Sequence, residues 1–190
     1  SHTPWLGKRP ILAVMEPLAI ARLGAEHDTW LNRGRRALLA ALLARHAREG
    51  GTGALEIGAG FGHNLPLLKP WGPIDAVEVD SACWSQLEAR SELRRHYRTG
   101  LPDLALDERY AVVCALDVIE HIEDDRSALA WIRDRLLPGG VLIATVPAYQ
   151  WLFGPHDVAN RHFRRYTRQR LIDALPAGLE VETCGYFNTA

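Results

Sequence analysis

The chain has 190 residues with a formal net charge of -1, and 47% of its residues are apolar. This length suffices for one globular domain with a buried core, and the near-neutral charge argues against a general nucleic-acid or membrane surface. Three cysteines without a CxxC pair argue against a disulfide framework and a cysteine-only zinc site. No apolar run reaches the roughly 18 residues of a membrane span, and the first residues lack a signal peptide's apolar centre. We therefore predict a cytoplasmic protein.

The first fifty residues are predicted to be mainly helical. The apolar run from Ile11 to Gly24 has few helix breakers apart from Pro17, and we predict a helix interrupted there. Leucines then recur at helical spacing, which predicts a helix from about Asn32 to Arg48. Residues 1–50 are therefore predicted to form an N-terminal helical cap segment, and residues 51–190 the main part of a single domain.

Beyond residue 50, short apolar runs alternate with helical patterns. We predict strands at ALEIGA, IDAVEVD, HYRT, YAVVCALD, VLIATVP and LEVETCGYF. Helices are predicted at His63–Lys69, Ala82–Leu93, DDRSALAWIRDRL and Thr167–Leu175, with a turn at Pro138-Gly139-Gly140. This alternation is typical of an α/β fold with a doubly wound, mainly parallel sheet that carries helices on both faces.

A glycine-rich loop follows the first strand of this alternating part. Gly58, Gly60 and Gly62 stand at alternate positions, where glycine permits positive φ and close approach of a ligand to the backbone. The GxGxG spacing differs from the GxGxxG of dinucleotide-binding loops, and no lysine follows in the register of a P-loop. The loop therefore predicts close approach of a ligand without phosphate binding.

Acidic residues at two strand ends narrow down that ligand. Glu56 ends the first strand, and Glu78 and Asp80 end the second. An acid about 20 residues beyond a glycine loop usually binds a ribose diol, and Asp80 stands 20 residues after Gly60. A ligand with a ribose and a positive charge, but without a required phosphate, is S-adenosylmethionine. The alternative is a glycine turn flanked by two solvated acids.

The motifs resemble those of class I S-adenosylmethionine-dependent methyltransferases, in particular a bacterial methyltransferase-domain subgroup. LEIGAGFGHN is similar to the first motif of that family, VEVD to the second-strand motif, LDVIEHIEDD to the fourth-strand motif and LLPGGVLIATVP to the fifth. The resemblance implies a Rossmann-like fold. Family members usually have seven strands ending in an antiparallel hairpin, whereas this sequence predicts about six, and we expect the last strand to be lacking.

The resemblance also implies cofactor-binding residues. The methionine part would lie against Glu56, Gly58 and Gly60, and the ribose would bind Asp80, with Glu78 as the alternative. The adenine would be flanked by Ser81 or Ala82 and bordered by Gly100 and Leu101, while Ala115, Leu116 and Asp117 would pass beside the sulfonium.

Three histidines are candidates for a catalytic base, because an acceptor hydroxyl or amine must lose a proton. His121 follows the fourth strand at the mouth of the cofactor site, and His156 and His162 come after the fifth strand. The alternative for each is a structural hydrogen bond. Glu120 is interpreted as a residue that caps a helix.

A metal site is the alternative interpretation of the same stretch. Asp117, Glu120 and His121 stand on one turn, His162 could be a fourth ligand, and such ligands suit magnesium or manganese. The stretch is similar to the EVIEH of metal-dependent RNA 2′-O-methyltransferases and of certain quinone-precursor O-methyltransferases. Because DVxEHI also occurs widely in methyltransferases that bind no metal, we predict none.

The stretch from Ala148 to Arg170 is unusual in composition. Tyr149, Trp151 and Phe153 alternate, and five arginines follow them. One interpretation is an acceptor pocket with an aromatic wall and an anion-binding rim, to which Arg33, Arg35 and Arg36 would add; the other is a solvated basic face above core aromatics.

We therefore predict transfer of a methyl group from S-adenosylmethionine to an oxygen or nitrogen of a small-molecule acceptor. Methylation of RNA, assisted or not by a metal, is the first alternative, although the near-neutral charge argues against it. A cofactor-binding protein without catalytic activity is the second. A nicotinamide oxidoreductase is disfavoured because GxGxxG is missing.

Overall fold

A computed structural model of the chain describes residues 9–16, 30–47 and 50–187. Seven strands form one sheet in the order β4-β3-β2-β5-β6-β1-β7, and each neighbouring pair is parallel. The predicted doubly wound parallel sheet is therefore confirmed. The strands are β1 (Arg9–Glu16), β2 (Ala54–Ile57), β3 (Ile74–Val77), β4 (Leu93–Tyr97), β5 (Tyr110–Leu116), β6 (Leu136–Pro147) and β7 (Leu179–Tyr186).

Six α-helices connect these strands within the described ranges. They are α1 (Trp30–His46), α2 (Leu65–Leu68), α3 (Ser81–Glu88), α4 (Asp125–Asp134), α5 (Pro155–Ala159) and α6 (Arg168–Ala174). The predicted acidic start of α4 is confirmed, since the Asp124 carboxylate accepts the backbone N–H of Ser127. The helix predicted over Ala82–Leu93 ends earlier, because its last residue opens β4.

The N-terminal segment is a strand where we predicted a helix. β1 lies between β6 and β7 and pairs in parallel with both. A short apolar run fits a buried helix and a central strand equally well, and here the two flanking strands satisfy its backbone on both sides. The sheet thus reaches seven strands because this N-terminal strand is added to the six predicted ones. Among the described residues β7 is the last strand and pairs in parallel, so the final antiparallel hairpin of the family is not among them, as predicted. Residues 17–24 of the predicted helix lie outside the described residues.

The predicted turn at Pro138-Gly139-Gly140 is an irregularity within β6. Tyr110 pairs with Leu136, but Val112 pairs with Val141, so residues 137–140 form a bulge opposite β5. Beyond this bulge β6 pairs regularly with β5 up to the carboxyl edge of the sheet.

Helices cover both faces of the sheet, and this explains how a carboxylate comes to be buried in β2. Leu55 and Ile57 belong to the apolar cluster that includes Leu129 and Ile132 of α4. Ala54 belongs to the opposite cluster, which contains leucines of α1. Because side chains alternate along a strand, Glu56 faces the side that α1 covers.

Within the described ranges, no helix combines the length and the apolar character that crossing a bilayer requires.

Candidate active site

The glycine loop after β2 bends at the carboxyl edge of the sheet. Gly58 has a φ of 69° and Gly60 a φ of 53°, in the left-handed region that favours glycine. A Cβ atom on Gly58 would overlap a methyl group of Val118, whereas a Cβ on Gly60 would meet no atom within 4 Å. Gly58 therefore permits close packing against the chain after β5, and Gly60 leaves open space beside the loop.

Glu56 is a buried carboxylate whose hydrogen bonding is incomplete. Its side chain is 2% exposed, and its Oε1 accepts a hydrogen bond of 2.8 Å from Asn64 Nδ2. The other oxygen, Oε2, is buried without a hydrogen-bond partner. Burial raises the pKa of Glu56 to about 7, against the effect of the Asn64 hydrogen bond and with a further contribution from the charge of Glu78. This carboxylate would gain from a cationic ligand.

Glu78 connects the glycine loop to the end of β3. Its two carboxylate oxygens accept the backbone N–H groups of Gly60 and Asp80, each at 2.7 Å. The Asp80 side chain is exposed and caps α3 by accepting the N–H of Ala82 at 2.9 Å. Both Glu78 oxygens are thus engaged by the backbone, which favours Asp80 as the ribose ligand. Sequence reasoning missed this bracing role of Glu78.

The predicted adenine-binding residues lie at the ends of β3 and β4. Ser81 opens α3 and is exposed, and Leu101 packs at the margin of the core. A Cβ on Gly100 would be 3.4 Å from a methyl group of Val79, which precedes Asp80. Gly100 and Asp80 therefore belong to the same edge of the sheet.

Asp117 is held in a strained conformation directly after β5. Its φ of 54° is unusual for a residue other than glycine. Its N–H donates to Thr145 of β6, and its Oδ1 accepts the Thr145 hydroxyl at 3.0 Å. Its Oδ2 lies 2.9 Å from Arg35 Nη2 of α1. Asp117 is thus fixed from two sides, and α1 is tied to the sheet edge.

A cavity of about 260 Å³ lies between α1 and the glycine loop. The predicted residues Gly60, Leu116 and Asp117 line it, together with Asn64 and apolar side chains of α1. Asp80, Ser81, Gly100 and Leu101 are not part of its wall, and neither are Glu56 and Gly58. The cavity therefore meets the predicted site at Gly60, Leu116 and Asp117, and the ribose and adenine residues lie on the adjoining edge.

The structure brings two of the three candidate histidines together. His121 and His162 have ring centroids 4.5 Å apart with edge-to-face geometry. His162 Nδ1 lies 2.9 Å from Asp157 Oδ1. His156 instead contacts Asn160, and its ring centroid is 6.4 Å from that of His162. Asp157, which holds His162, was not among the predicted residues.

Glu120 does not have the predicted role of a helix cap. It lies in a 3-10 turn of residues 119–121 and is 1% exposed, while α4 begins later and is capped by Asp124. Its Oε2 is buried without a hydrogen-bond partner. Burial, with the charge of Asp117, holds the pKa of Glu120 well above its usual range.

Three of the arginines proposed for an anion-binding rim make contacts with other residues of the protein. Arg164 donates to the carbonyl oxygens of Ile122 and Glu123, at 2.8 and 2.6 Å. Arg165 is buried and its Nε lies 2.8 Å from Asp157. Arg170 lies over the ring of Tyr166. Arg161 and Arg168 are exposed.

The predicted aromatic wall is partly formed. Tyr149 stacks on Tyr186 of β7 with ring centroids 4.9 Å apart and an interplanar angle of 9°. Trp151 is 78% exposed, and Phe153 is half-buried. Tyr186 was missed, because nothing in the local sequence indicates that β7 ends beside the segment after β6.

Solved methyltransferase structures share this fold. The N-methyltransferase NodS from Bradyrhizobium japonicum is 19% identical, with 79% of this chain and 83% of that chain covered at a TM-score of 0.59. The sugar N-methyltransferase KedS8 from Streptoalloteichus is 19% identical, with 72% of this chain and 62% of that chain covered at a TM-score of 0.52. S-adenosylmethionine-bound CalS10, an amino pentose methyltransferase from Micromonospora echinaspora, is 22% identical. The alignment covers 69% of this chain and 60% of that chain at a TM-score of 0.51.

The chain spans about three fifths of the length of the two sugar methyltransferases. No curated protein matches it. A sequence profile for the methyltransferase domain matches residues 31–183, from α1 into β7. That match runs through the glycine loop, the braced strand ends and the cavity described above, and the chain belongs to the methyltransferase domain family of S-adenosylmethionine-dependent class I enzymes.

Proposed function

We propose that this protein transfers a methyl group from S-adenosylmethionine to a small-molecule acceptor. The observation that carries the proposal is the unpartnered oxygen of Glu56, buried beneath the glycine loop. A buried carboxylate without a full set of donors is costly. The ammonium and sulfonium of the cofactor's methionine part would supply the missing positive charge.

The remaining cofactor residues follow from their positions along the edge. Gly58 and Gly60 would face the methionine part, Asp80 would bind the ribose, and Ser81, Gly100 and Leu101 would surround the adenine. Leu116 and Asp117 would lie beside the sulfonium, since both line the cavity under α1. The braces on the loop and on Asp117 support this arrangement, because they fix the edge before the cofactor arrives.

The reaction would be an in-line displacement at the methyl carbon. The acceptor oxygen or nitrogen forms a bond to this carbon while the carbon–sulfur bond breaks, and the sulfur keeps the electron pair. The sulfonium is already a good leaving group, so the protein mainly aligns the reactants, which is worth roughly 7–11 kcal/mol of barrier.

The proton lost by the acceptor needs a nearby base. His121 and His162 are the best-placed candidates, because they lie together on segments that follow β5 and α5. The carboxylate of Asp157 orients His162 through Nδ1 and leaves Nε2 for other partners. His156, which is engaged with Asn160, is the weaker candidate.

The acceptor would be a small molecule with a hydroxyl or amine group. NodS and KedS8 are N-methyltransferases and CalS10 is an amino pentose methyltransferase, which supports this choice. The stacked Tyr149 and Tyr186 and the exposed Trp151 offer a surface on which such a molecule could pack. An anionic acceptor gains no support from Arg164 and Arg165, which are engaged by the fold. The cytoplasmic location remains a prediction.

Calorimetric titration tests the cofactor assignment. We expect one equivalent of S-adenosylmethionine and of its demethylated product to bind, and NAD to show no binding. Absence of binding by both sulfur compounds would overturn the proposal. Binding without turnover on hydroxyl and amine acceptors would favour the non-catalytic alternative. Retention on a polyanion column with steep salt dependence would favour RNA as the acceptor.

A further inference from the structure

A second group of chemically active side chains lies next to the cofactor edge. Glu120, His121 and His162 each offer one ligand atom, and these atoms all lie within 4.8 Å of one another. Two come from the 3-10 turn after β5 and the third from the loop after α5. Such convergence of a carboxylate and two imidazoles is the kind of ligand set that metal ions use.

Glu120 provides an independent indication of a missing cation. Its Oε2 atom is buried and has no hydrogen-bond partner, and the side chain as a whole is 1% exposed. A buried carboxylate oxygen that lacks a donor would be stabilised by a cation bound to it.

The imidazole of His162 is oriented in the way that metal ligands usually are. His162 places Nδ1 against Asp157, which is fully buried and is itself fixed by Arg165 and by the N–H of Gly154. One nitrogen of this ring is thus used by an outer partner, and the other keeps a lone pair. Metal-bound histidines typically have such a carboxylate or carbonyl behind them. The ring of His121 packs edge-to-face against that of His162.

We propose that Glu120, His121 and His162 bind a divalent first-row transition metal ion such as Zn²⁺, Co²⁺, Fe²⁺ or Mn²⁺. Two nitrogen ligands favour these ions over Mg²⁺, which prefers oxygen. Asp117 is not counted as a ligand, because its two oxygens are engaged by Thr145 and Arg35. This differs from the four-residue magnesium or manganese site weighed from the sequence alone.

Three protein ligands leave open positions on the ion. The ring of His121 is exposed, so solvent and small molecules reach the group. An acceptor hydroxyl bound at an open position would lose its proton more readily, because a metal ion lowers the pKa of bound oxygen. The lone pairs of His121 and His162 would then bind the ion and would not accept the proton. The acceptor hydroxyl would lose its proton while its oxygen is bound to the ion. Ion binding itself requires neither cofactor nor acceptor.

Titration of metal-free protein without a histidine tag tests the site. We expect one equivalent of Co²⁺ to produce a visible absorption band, Zn²⁺ to abolish it by displacement, and Mg²⁺ to bind at least tenfold more weakly. The variants Glu120→Gln and His121→Gln should each lower Co²⁺ affinity by about 100-fold or more, since even outer partners contribute about 10–100-fold. His156→Gln, on the same segment as His162, should retain wild-type affinity.

A measurement on the wild-type chain tests the site even if the variants fail to fold. Substoichiometric Mn²⁺ should broaden the imidazole resonances of His121 and His162 before those of His63 and His96. The proposal is overturned if Co²⁺ gives no band at one equivalent, if both ligand variants keep wild-type affinity, or if His156→Gln loses as much as His121→Gln. Cofactor calorimetry in chelator distinguishes this failure from a failure of the methyltransferase proposal.

Discussion

The two halves of the candidate site are built in different ways. The glycine loop and the acids at the ends of β2 and β3 come from one contiguous stretch, residues 54–80, and are joined mainly by backbone hydrogen bonds to Glu78. The segment from Ala148 to Tyr166 is instead held together by the side chains of Asp157, Arg165 and His162. It contacts the turn after β5 through His162, the backbone of Phe163 and the side chain of Arg164. The first half is specified by spacing, and the second by tertiary contacts between distant segments.

The largest effect should follow from breaking the second half at its buried ion pair. Asp157→Asn keeps the size of the side chain but leaves the buried Arg165 guanidinium beside a neutral amide. We expect the free energy of unfolding to fall by about 3–5 kcal/mol, as measured by urea denaturation. Asp103→Asn, at an exposed position, should change it by less than about 0.5 kcal/mol. A loss below about 1 kcal/mol would show that the network does not hold this segment.

The pKa of Glu56 makes the first half sensitive to pH. Its pKa is about 7 in the fold, raised from an ordinary value of 4.5, so the folded chain binds this proton more tightly than the unfolded chain does. The stabilisation that results is complete at low pH and is lost as pH rises through 7, by about 3 kcal/mol. Urea denaturation at several pH values should show Glu56→Gln gaining stability relative to wild type as pH rises. Glu123→Gln, which is exposed, should give a flat difference.

The same carboxylate should link cofactor affinity to pH in the opposite direction. The cationic cofactor prefers ionised Glu56, so the affinity of the wild type should increase between pH 6 and pH 8. Glu56→Gln should bind more weakly and lack this increase, which calorimetry would record. A pH profile shared by wild type and variant would place the positive charge of the cofactor elsewhere.

Substitutions of two glycines in the first half distinguish an effect on packing from an effect on ligand access. Gly58→Ala combines positive φ with overlap against Val118, and we expect a loss of about 2–4 kcal/mol in the free energy of unfolding. Gly60→Ala has positive φ but open space, so its loss should be about 1–2 kcal/mol. Its methyl group would enter the cavity and weaken cofactor binding. Equal losses of stability would contradict the close contact at Gly58.

The smallest expected effect distinguishes the two acids at the end of β3. Asp80→Asn should weaken binding of the demethylated cofactor about tenfold, the scale of one charge-assisted hydrogen bond. Because asparagine also caps helices, the stability should hardly change. Glu78→Gln should lower stability as well, since one of the two accepting oxygens is replaced by an NH2 group, which cannot accept a backbone N–H. Unchanged affinity in Asp80→Asn would mean that another group binds the ribose.

The N-terminal strand shows where sequence reasoning fails on the fold. Its apolar run carries no periodicity that separates a central strand from a buried helix, and for that reason the prediction of a helix over β1 is wrong. Its place between β6 and β7 depends on the free edges of two strands far along the chain. By contrast, α1 and α4 are predicted closely because the leucine spacing of α1 and the acidic cap of α4 are local signals.

The parallel α/β sheet, the glycine loop and the acids beside it follow from the sequence alone, because alternation, spacing and strand ends lie within short stretches of chain. The folded structure is needed to see that Glu78 braces the loop, that Arg164 and Arg165 bind other parts of the protein, and that Glu120 meets His121 and His162. These outcomes depend on which distant side chains share a buried space, where each polar group must find a partner. A linear pattern does not encode that choice, since it is made when the segments pack.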